Sequence, residues 1–408
     1  RDGAMLLPRQ LVLRALCALP AFQPPASRAI DDAPAPLLPP VAVPLELCGG
    51  AYCVNYTIDR QLFRAVVDTG SPFVLVDGTC TEEIDGPRAK TLWGCYRGTG
   101  RPSGLPPTDE LFGGMDVGTE WVRGELALGA AVRPTREGWV TDGPSLVATV
   151  PDATFGIVRS TVDKGGSAVF LGLAKRRLPR IRPSFLEQTQ VAALRFDFLR
   201  RTLELSQAPL VPRSTDAVRT IDLRPRGAPV ATYAAKVHRL CVNGQEVTLD
   251  RPVAAVIDTG TTGVSVSDGL FDSGVLPTAW RDARIELKTE RGNLCALEAS
   301  VRKRRPPAPG IPPPRLPLDA PEFEEFPFIV SPVHVPWFDP GFGDSECADG
   351  EPFQCNGMPL GKRRSLVEQL LTRTDGLGAA PHVIFVGLCF FWQRQITIDI
   401  DEGRMTID

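Results

Sequence analysis

The same acidic turn occurs twice in this chain, each time at the end of an apolar run. Asp68-Thr69-Gly70-Ser71 follows Arg64-Ala65-Val66-Val67, and Asp258-Thr259-Gly260-Thr261 follows Val253-Ala254-Ala255-Val256-Ile257. Each run reads as a buried strand, and each Gly lets the backbone of the turn come close to a neighbour. The copies lie 258 − 68 = 190 positions apart. That is too far for one local motif, but natural for two related lobes that each bring one carboxylate to a shared cleft. Two carboxylates in one site do not both ionise readily, so they hold one proton between them and act as acid and base together.

The remaining pattern is mostly strand. Alternation and β-branched content predict strands over 52–58, 62–67, 73–76, 124–128, 194–205, 231–242, 253–257, 326–330, 382–391 and 395–407. Helical pattern is confined to 183–193 and 365–373, capped by Ser184 and Ser365. The expected fold class is therefore all-β with short helices, in an N-terminal lobe over 45–215 and a C-terminal lobe over 216–408. The segment 301–322 carries Pro306-Pro307 and Pro312-Pro313-Pro314, which do not join a sheet ladder, so it reads as an exposed insertion. A polyproline docking segment is the competing reading.

A formal net charge of −3 over 408 residues gives no basic field of the kind that marks nucleic-acid or anionic-membrane partners. The basic triplets 175–177, 303–305 and 362–364 read as solvated loops, with processing at one of them as the alternative. Residues 1–24 read as a signal peptide opening at Met5 with four extra residues before it, a disordered amphipathic leader being the other option. The Pro/Ala-rich stretch 25–44 reads as a pro-segment or linker, and no later stretch is long and apolar enough to span a bilayer.

Ten cysteines beside an export signal point to disulfides. Removing Cys17 with the leader leaves nine, which predicts one unpaired thiol, Cys389 or Cys241. Cys48 with Cys53 and Cys80 with Cys95 are close enough for local staples, and Cys295 is expected to reach Cys347 or Cys355. No Cys-x-x-Cys occurs and His238, His334 and His382 are scattered, so neither a metal site nor another cofactor is expected. Asn55-Tyr56-Thr57 is a glycan acceptor sequence on a predicted strand.

Further segments follow the two acidic turns in a fixed order. Phe155-Gly156-Ile157-Val158, Val169-Phe170-Leu171-Gly172-Leu173-Ala174, Pro183-Ser184-Phe185-Leu186-Glu187-Gln188 and Leu194-Arg195-Phe196-Asp197-Phe198-Leu199 come after the first. Val383-Ile384-Phe385-Val386-Gly387-Leu388-Cys389-Phe390-Phe391 and Ile396-Thr397-Ile398-Asp399-Ile400 come after the second. With these landmarks the chain resembles a pepsin-like aspartic peptidase over about residues 45–408. The resemblance implies a bilobal double β-barrel with a cleft between the lobes. Asp68 and Asp258 become the catalytic pair, one taking a proton from water while the other hydrogen-bonds the scissile carbonyl. Thr69 and Thr259 are expected to bond across the lobe interface, Ser71 and Thr261 to hold the outer carboxylate oxygens, and Gly70 and Gly260 to present amides near the pair. Gly172 and Gly387 take equivalent places behind the two loops.

The family covers its cleft with a hairpin flap bearing a Tyr. Here Phe112, followed by Gly113, stands at that place, with Tyr96 as the alternative flap residue, and Leu75 replaces the family's Trp after the first motif. The function implied is an aspartic endopeptidase acting on polypeptides at acidic pH, a monomer without stable membrane anchor or nucleic-acid partner, secreted or in the lumen of an acidic compartment. The alternative is a catalytically weak or inactive binding or inhibitor protein on the same scaffold. A Ser-His-Asp hydrolase lacks its nucleophile elbow, since no Gly-x-Ser-x-Gly occurs.

Overall fold

Runs of β-branched and small apolar residues fold just over half of the described residues into strands, with only short helices between them. The computed structural model describes residues 40–48, 51–78, 93–112, 115–129, 132–135, 138–141, 148–161, 169–177, 182–226, 228, 230–277, 279–300, 330–333, 377 and 380–408. The segments expected as a signal peptide over 1–24, an exposed insertion over 301–322 and a helix over 365–373 lie outside these residues, as do Cys80, Cys347, Cys355 and His334.

Three sheets carry the architecture. A nine-stranded sheet is built from strands between Glu46 and Gly172, and an eight-stranded sheet from strands between Ala234 and Val386. The third, six-stranded, draws on both halves, in the order Val41–Pro44, Thr202–Ser206, Ala193–Asp197, Gln395–Asp399, Arg404–Ile407 and Val218–Arg219. Its contacts are long-range: Leu194 pairs with Ile398 and Phe196 with Ile396. Phe196, Phe198 and Phe391 stack there, at centroid spacings of 5.6 and 6.5 Å, and so help to bind the two halves into one core.

Several expected boundaries are corrected. The linker expected over 25–44 ends early, because Val41–Pro44 is a strand paired with Thr202–Ser206 that buries Val41 and Val43 and exposes Ala42 and Pro44. The single strands expected over 194–205 and 395–407 are hairpins. The first turns at 198–201, where Arg201 adopts a positive φ of 56° and Leu199 stands out into solvent. The second turns at 400–403, where Gly403 has φ 64°. The run 382–391 is a strand only to Val386, after which Leu388–Phe390 winds into a 3-10 turn. Two strands with no expectation attached, Asp282–Lys288 and Leu294–Ser300, pair along their whole length. The alternation of the first, with Ala283, Ile285 and Leu287 inward, is plain in the sequence; Glu286 on its polar side is nevertheless fully buried and held by Arg239 and Arg284 at 2.7 and 2.8 Å.

The helix expected over 183–193 shortens to Phe185–Thr189. Ser184 caps it in a capping box with Glu187, and Gln190 ends it in the left-handed region. Phe185 N–H donates to the Pro72 carbonyl at 2.9 Å, which docks this helix on the segment just after the first acidic turn.

Cys48 and Cys53 form a disulfide, and Cys95 is also disulfide-bonded. Cys295 is a free thiol, which overturns its expected link to Cys347 or Cys355. Cys241 and Cys389 are free too, so the expectation of one unpaired cysteine is corrected to at least three. Asn55 is buried, donates to Glu46 and accepts from Arg64, so its side chain is taken up inside the sheet rather than presented as a glycan acceptor. Among the described residues no helix is long and apolar enough to cross a membrane.

Candidate active site

Each acidic turn sits at the end of a central strand, and a strand from later in the chain passes behind each. Phe170–Gly172 runs parallel to Gln61–Asp68, placing Gly172 opposite Asp68, and antiparallel to Val74–Asp77. His382–Val386 runs parallel to Val253–Ile257, placing Val386 opposite Ile257, and antiparallel to Val264–Ser267. One hydrogen bond repeats as well: Gly172 N–H donates to the Phe73 carbonyl and Gly387 N–H to that of Gly263. The others differ, Leu173 N–H donating to the Asp68 carbonyl and Asp258 N–H to that of Val386. A Cβ at Gly172 would collide with Pro72 and Phe73 backbone, and one at Gly387 with the Thr261 and Gly263 carbonyls. Glycine is therefore required where each strand passes beneath its turn.

The two turns are locked face to face. Thr69 Oγ1 donates to the Ile257 carbonyl at 2.7 Å and accepts from Thr259 N–H at 3.0 Å. Thr259 Oγ1 donates to the Val67 carbonyl at 2.7 Å and accepts from Thr69 N–H at 3.1 Å. Both threonines are fully buried, so four reciprocal bonds close without water.

This lock brings Asp68 and Asp258 together. Both are buried at 8 % exposure, and their side chains are in hydrogen-bonding contact. Each turn glycine lies against the opposite carboxylate: a Cβ on Gly70 would stand 2.9 Å from Asp258 Oδ2, and one on Gly260 2.5 Å from Asp68 Oδ1. Gly70 N–H donates to Asp68 Oδ1 at 2.7 Å, and Gly260 N–H to Asp258 Oδ1 at 2.9 Å.

The symmetry breaks at the hydroxyls. Thr261 Oγ1 donates to Asp258 Oδ2 at 2.9 Å, whereas the buried Ser71 Oγ has no hydrogen-bond partner among the described residues. The expected bond from Ser71 to the Asp68 carboxylate is thus absent. The next residue differs between the loops: Pro72 restricts Ser71 to extended backbone, and Thr262 places no such restriction on Thr261.

Burial, and then the charge of Asp68, push the Asp258 carboxyl well above the usual carboxylate range, against the opposing pull of the Thr261 hydroxyl and the Gly260 amide. The pair therefore retains one proton at pH values where an ordinary carboxylate has lost it. Such a pair can take a proton from one group and deliver one to another without net change of charge.

The segment expected as a flap is an antiparallel hairpin, Thr108–Phe112 with Met115–Leu128, in which Phe112 stands opposite Met115 at its end. Gly113 lies outside the described residues, as does the Phe112 side chain. Tyr96 is no flap residue. It is buried between Phe63 and Phe155 at 6.3 and 5.3 Å, and its hydroxyl donates to Asp59 Oδ2 at 2.8 Å. Aromatic burial and the Asp59 acceptor fix it in the core of the first sheet.

Trp121, Glu110 and Arg182 went unrecognised in the sequence. Trp121 lies edge-on to Phe73 at 4.8 Å and joins Leu75 in a separate apolar cluster, and its indole N–H donates to Thr108 Oγ1. The alternation of Thr119, Trp121 and Arg123 along one strand was the signal available for Trp121. For Arg182 and Glu110 no local signal existed, because they meet only in three dimensions, 2.8 Å apart.

Among the described residues no group of His, Cys, Asp and Glu is arranged to hold a metal ion. No protein-family model and no curated protein matches the chain.

Proposed function

We propose that the chain is an aspartic endopeptidase that hydrolyses peptide bonds with water activated between Asp68 and Asp258. The observation that carries this reading is the buried carboxylate pair, held face to face by the reciprocal Thr69 and Thr259 bonds; burial and the charge of Asp68, which push the Asp258 carboxyl up, support it. In this reading Asp68, ionised, accepts a proton from water, while protonated Asp258 donates a hydrogen bond to the scissile carbonyl and polarises it. Collapse of the tetrahedral intermediate returns a proton to the leaving nitrogen, and the pair ends as it began. The hairpin Thr108–Phe112 with Met115–Leu128 would cover the bound peptide and exclude water. Dependence on a shared proton fits work in an acidic lumen or an acidic extracellular space, and the Cys48–Cys53 disulfide fits an oxidising one.

The test is digestion of a peptide library by purified protein across a pH series, beside Asp68→Asn and Asp258→Asn. Each substitution is expected to lower turnover by at least ~10²-fold, since both proton transfers depend on the pair, with the melting transition retained. Near-normal turnover in either variant, or an alkaline optimum, refutes the assignment. A folded wild-type protein that cleaves nothing at any pH leaves the scaffold as a binding protein.

A further inference from the structure

Arg182 is a buried cation with no place in the chemistry just described, and its surroundings tie together parts of the chain that are distant in sequence. Its guanidinium lies 5.7 Å from the Phe73 ring centre and 5.5 Å from that of Trp121, and 2.8 Å from Glu110 Oε1. The side chains of Arg182 and Glu110 are 4 % and 9 % exposed. Glu110 belongs to the first strand of the hairpin and Trp121 to the second, and Thr108 joins them, donating to Glu110 and accepting from Trp121. Phe73 belongs to the acidic-turn segment: its carbonyl accepts from Gly172, which itself stands opposite Asp68. Arg182 is fixed in turn by the capped helix that follows it, which docks on Pro72.

We infer that Arg182 is a positioning residue, a clamp whose ion pair with Glu110 and stacking on Phe73 and Trp121 fix the root of the hairpin against the segment that carries Asp68. The inference rests on the proposed function for its catalytic consequence, because only there does the hairpin cover a substrate. The physical argument is that a buried ion pair contributes little net stability over an apolar replacement, yet is costly to break on one side. Its value lies in a single geometry. A guanidinium over the Phe73 and Trp121 rings with a carboxylate 2.8 Å away meets all three partners in one register of hairpin against loop. An apolar side chain would leave the hairpin root tied to that segment through the backbone ladders of Met115–Leu128 with Ala148–Thr161 and of Ala148–Thr161 with Val74–Asp77, with no directional contact from position 182. The hairpin's far end, where Phe112 meets Met115, inherits its place from this root.

The test compares wild type with Glu110→Gln, Arg182→Lys and Arg182→Met, by amide hydrogen exchange and by peptide kinetics. Glu110→Gln keeps the shape of the partner and remains informative if Arg182→Met does not fold. Exchange at Leu111, Phe112, Met115 and Asp116 is expected to rise by about tenfold or more in Glu110→Gln and Arg182→Met. Strands Val253–Ile257 and Gln395–Asp399 should keep wild-type exchange, which a general loss of stability would not allow. Arg182→Lys retains the charge but not the planar stack, so it should fall between. In the kinetics, kcat/KM should drop in the same order while the pH profile stays in place, because the carboxylate pair is untouched. Unchanged exchange at the hairpin tip in Glu110→Gln overturns the clamp whatever the activity shows. Exchange that rises equally in the remote strands overturns it too, by making Arg182 merely structural. If wild type cleaves nothing, the proposed function fails, and the exchange data still decide whether Arg182 sets the hairpin.

Discussion

Thr259→Val isolates the lock between the two acidic turns. The substitution preserves volume and β-branching but removes the hydroxyl, stranding two buried backbone groups in the other half: the Val67 carbonyl, 2.7 Å away, and Thr69 N–H, 3.1 Å away. Thr259 is fully buried, so water does not replace either bond in place. An unsatisfied buried polar group costs about 1–3 kcal/mol, and two of them, offset in part by the valine methyl, give an expected loss of about 2–4 kcal/mol. Thr69→Val strands a different pair, the Ile257 carbonyl and Thr259 N–H, and should cost the same within about 1 kcal/mol, the spread seen among hydrogen-bond deletions. Serine at either place keeps the hydroxyl and should cost less than about 1 kcal/mol, mostly for the lost methyl. The assay is equilibrium urea unfolding followed by Trp fluorescence, with equal slopes required across the set. A loss below about 0.5 kcal/mol for Thr259→Val, well under one unsatisfied group, refutes the view that these bonds hold the two halves together. Clearly unequal losses for the two valine variants refute their equivalence.

Because the folded Asp258 carboxyl titrates above its unfolded value of 3.8, its protonated form favours folding. That contribution is fully present below the unfolded pKa and is lost as pH rises through the folded one, so Asp258→Asn should flatten the fall in melting temperature above about pH 4; an unchanged slope refutes the shared proton. Gly260→Ala places a Cβ 2.5 Å from Asp68 Oδ1 and should cut turnover by ~10²-fold by displacing the carboxylate, while Gly269→Ala, whose Cβ meets nothing nearer than 3.4 Å, should leave turnover unchanged. Tyr96→Phe should cost about 0.5–1.5 kcal/mol of stability, the worth of one hydrogen bond, because Asp59 is exposed and still accepts from Glu125 N–H, and should leave kcat unaltered, whereas a selective loss of kcat would return Tyr96 to the cleft. Alkylation of unreduced, denatured protein should label Cys241, Cys295 and Cys389 but neither Cys48 nor Cys53. In the native protein Cys389 should react slowest, since burial pushes its thiol up to about 12.

The strands of the two acidic turns, the helix cap at Ser184 and the predominance of β structure were legible in the sequence, because each is written in residues that are neighbours in the chain. A β-branched run must be buried, and a Ser three residues before a Glu satisfies a helix start wherever it occurs. The duplicated Asp-Thr-Gly announced a pair. Only the fold decided what surrounds it. That Ser71 leaves Asp68 alone while Thr261 holds Asp258 depends on backbone conformation after two nearly identical tetrapeptides. The turn at 198–201 stayed hidden because it carries neither Gly nor Pro and its Leu199 is exposed against its chemistry. Tyr96 was ambiguous until the fold set Asp59 and two aromatic rings around it, and Cys295 until its thiol was found free. Glu110, Trp121 and Arg182 span 72 positions, counted as 182 − 110, and have no periodicity linking them. Desolvation, which moves the Asp258 carboxyl and makes the Arg182 ion pair selective for one geometry, is a property of what encloses a side chain, and the enclosure exists only once strands from both ends of the chain have met.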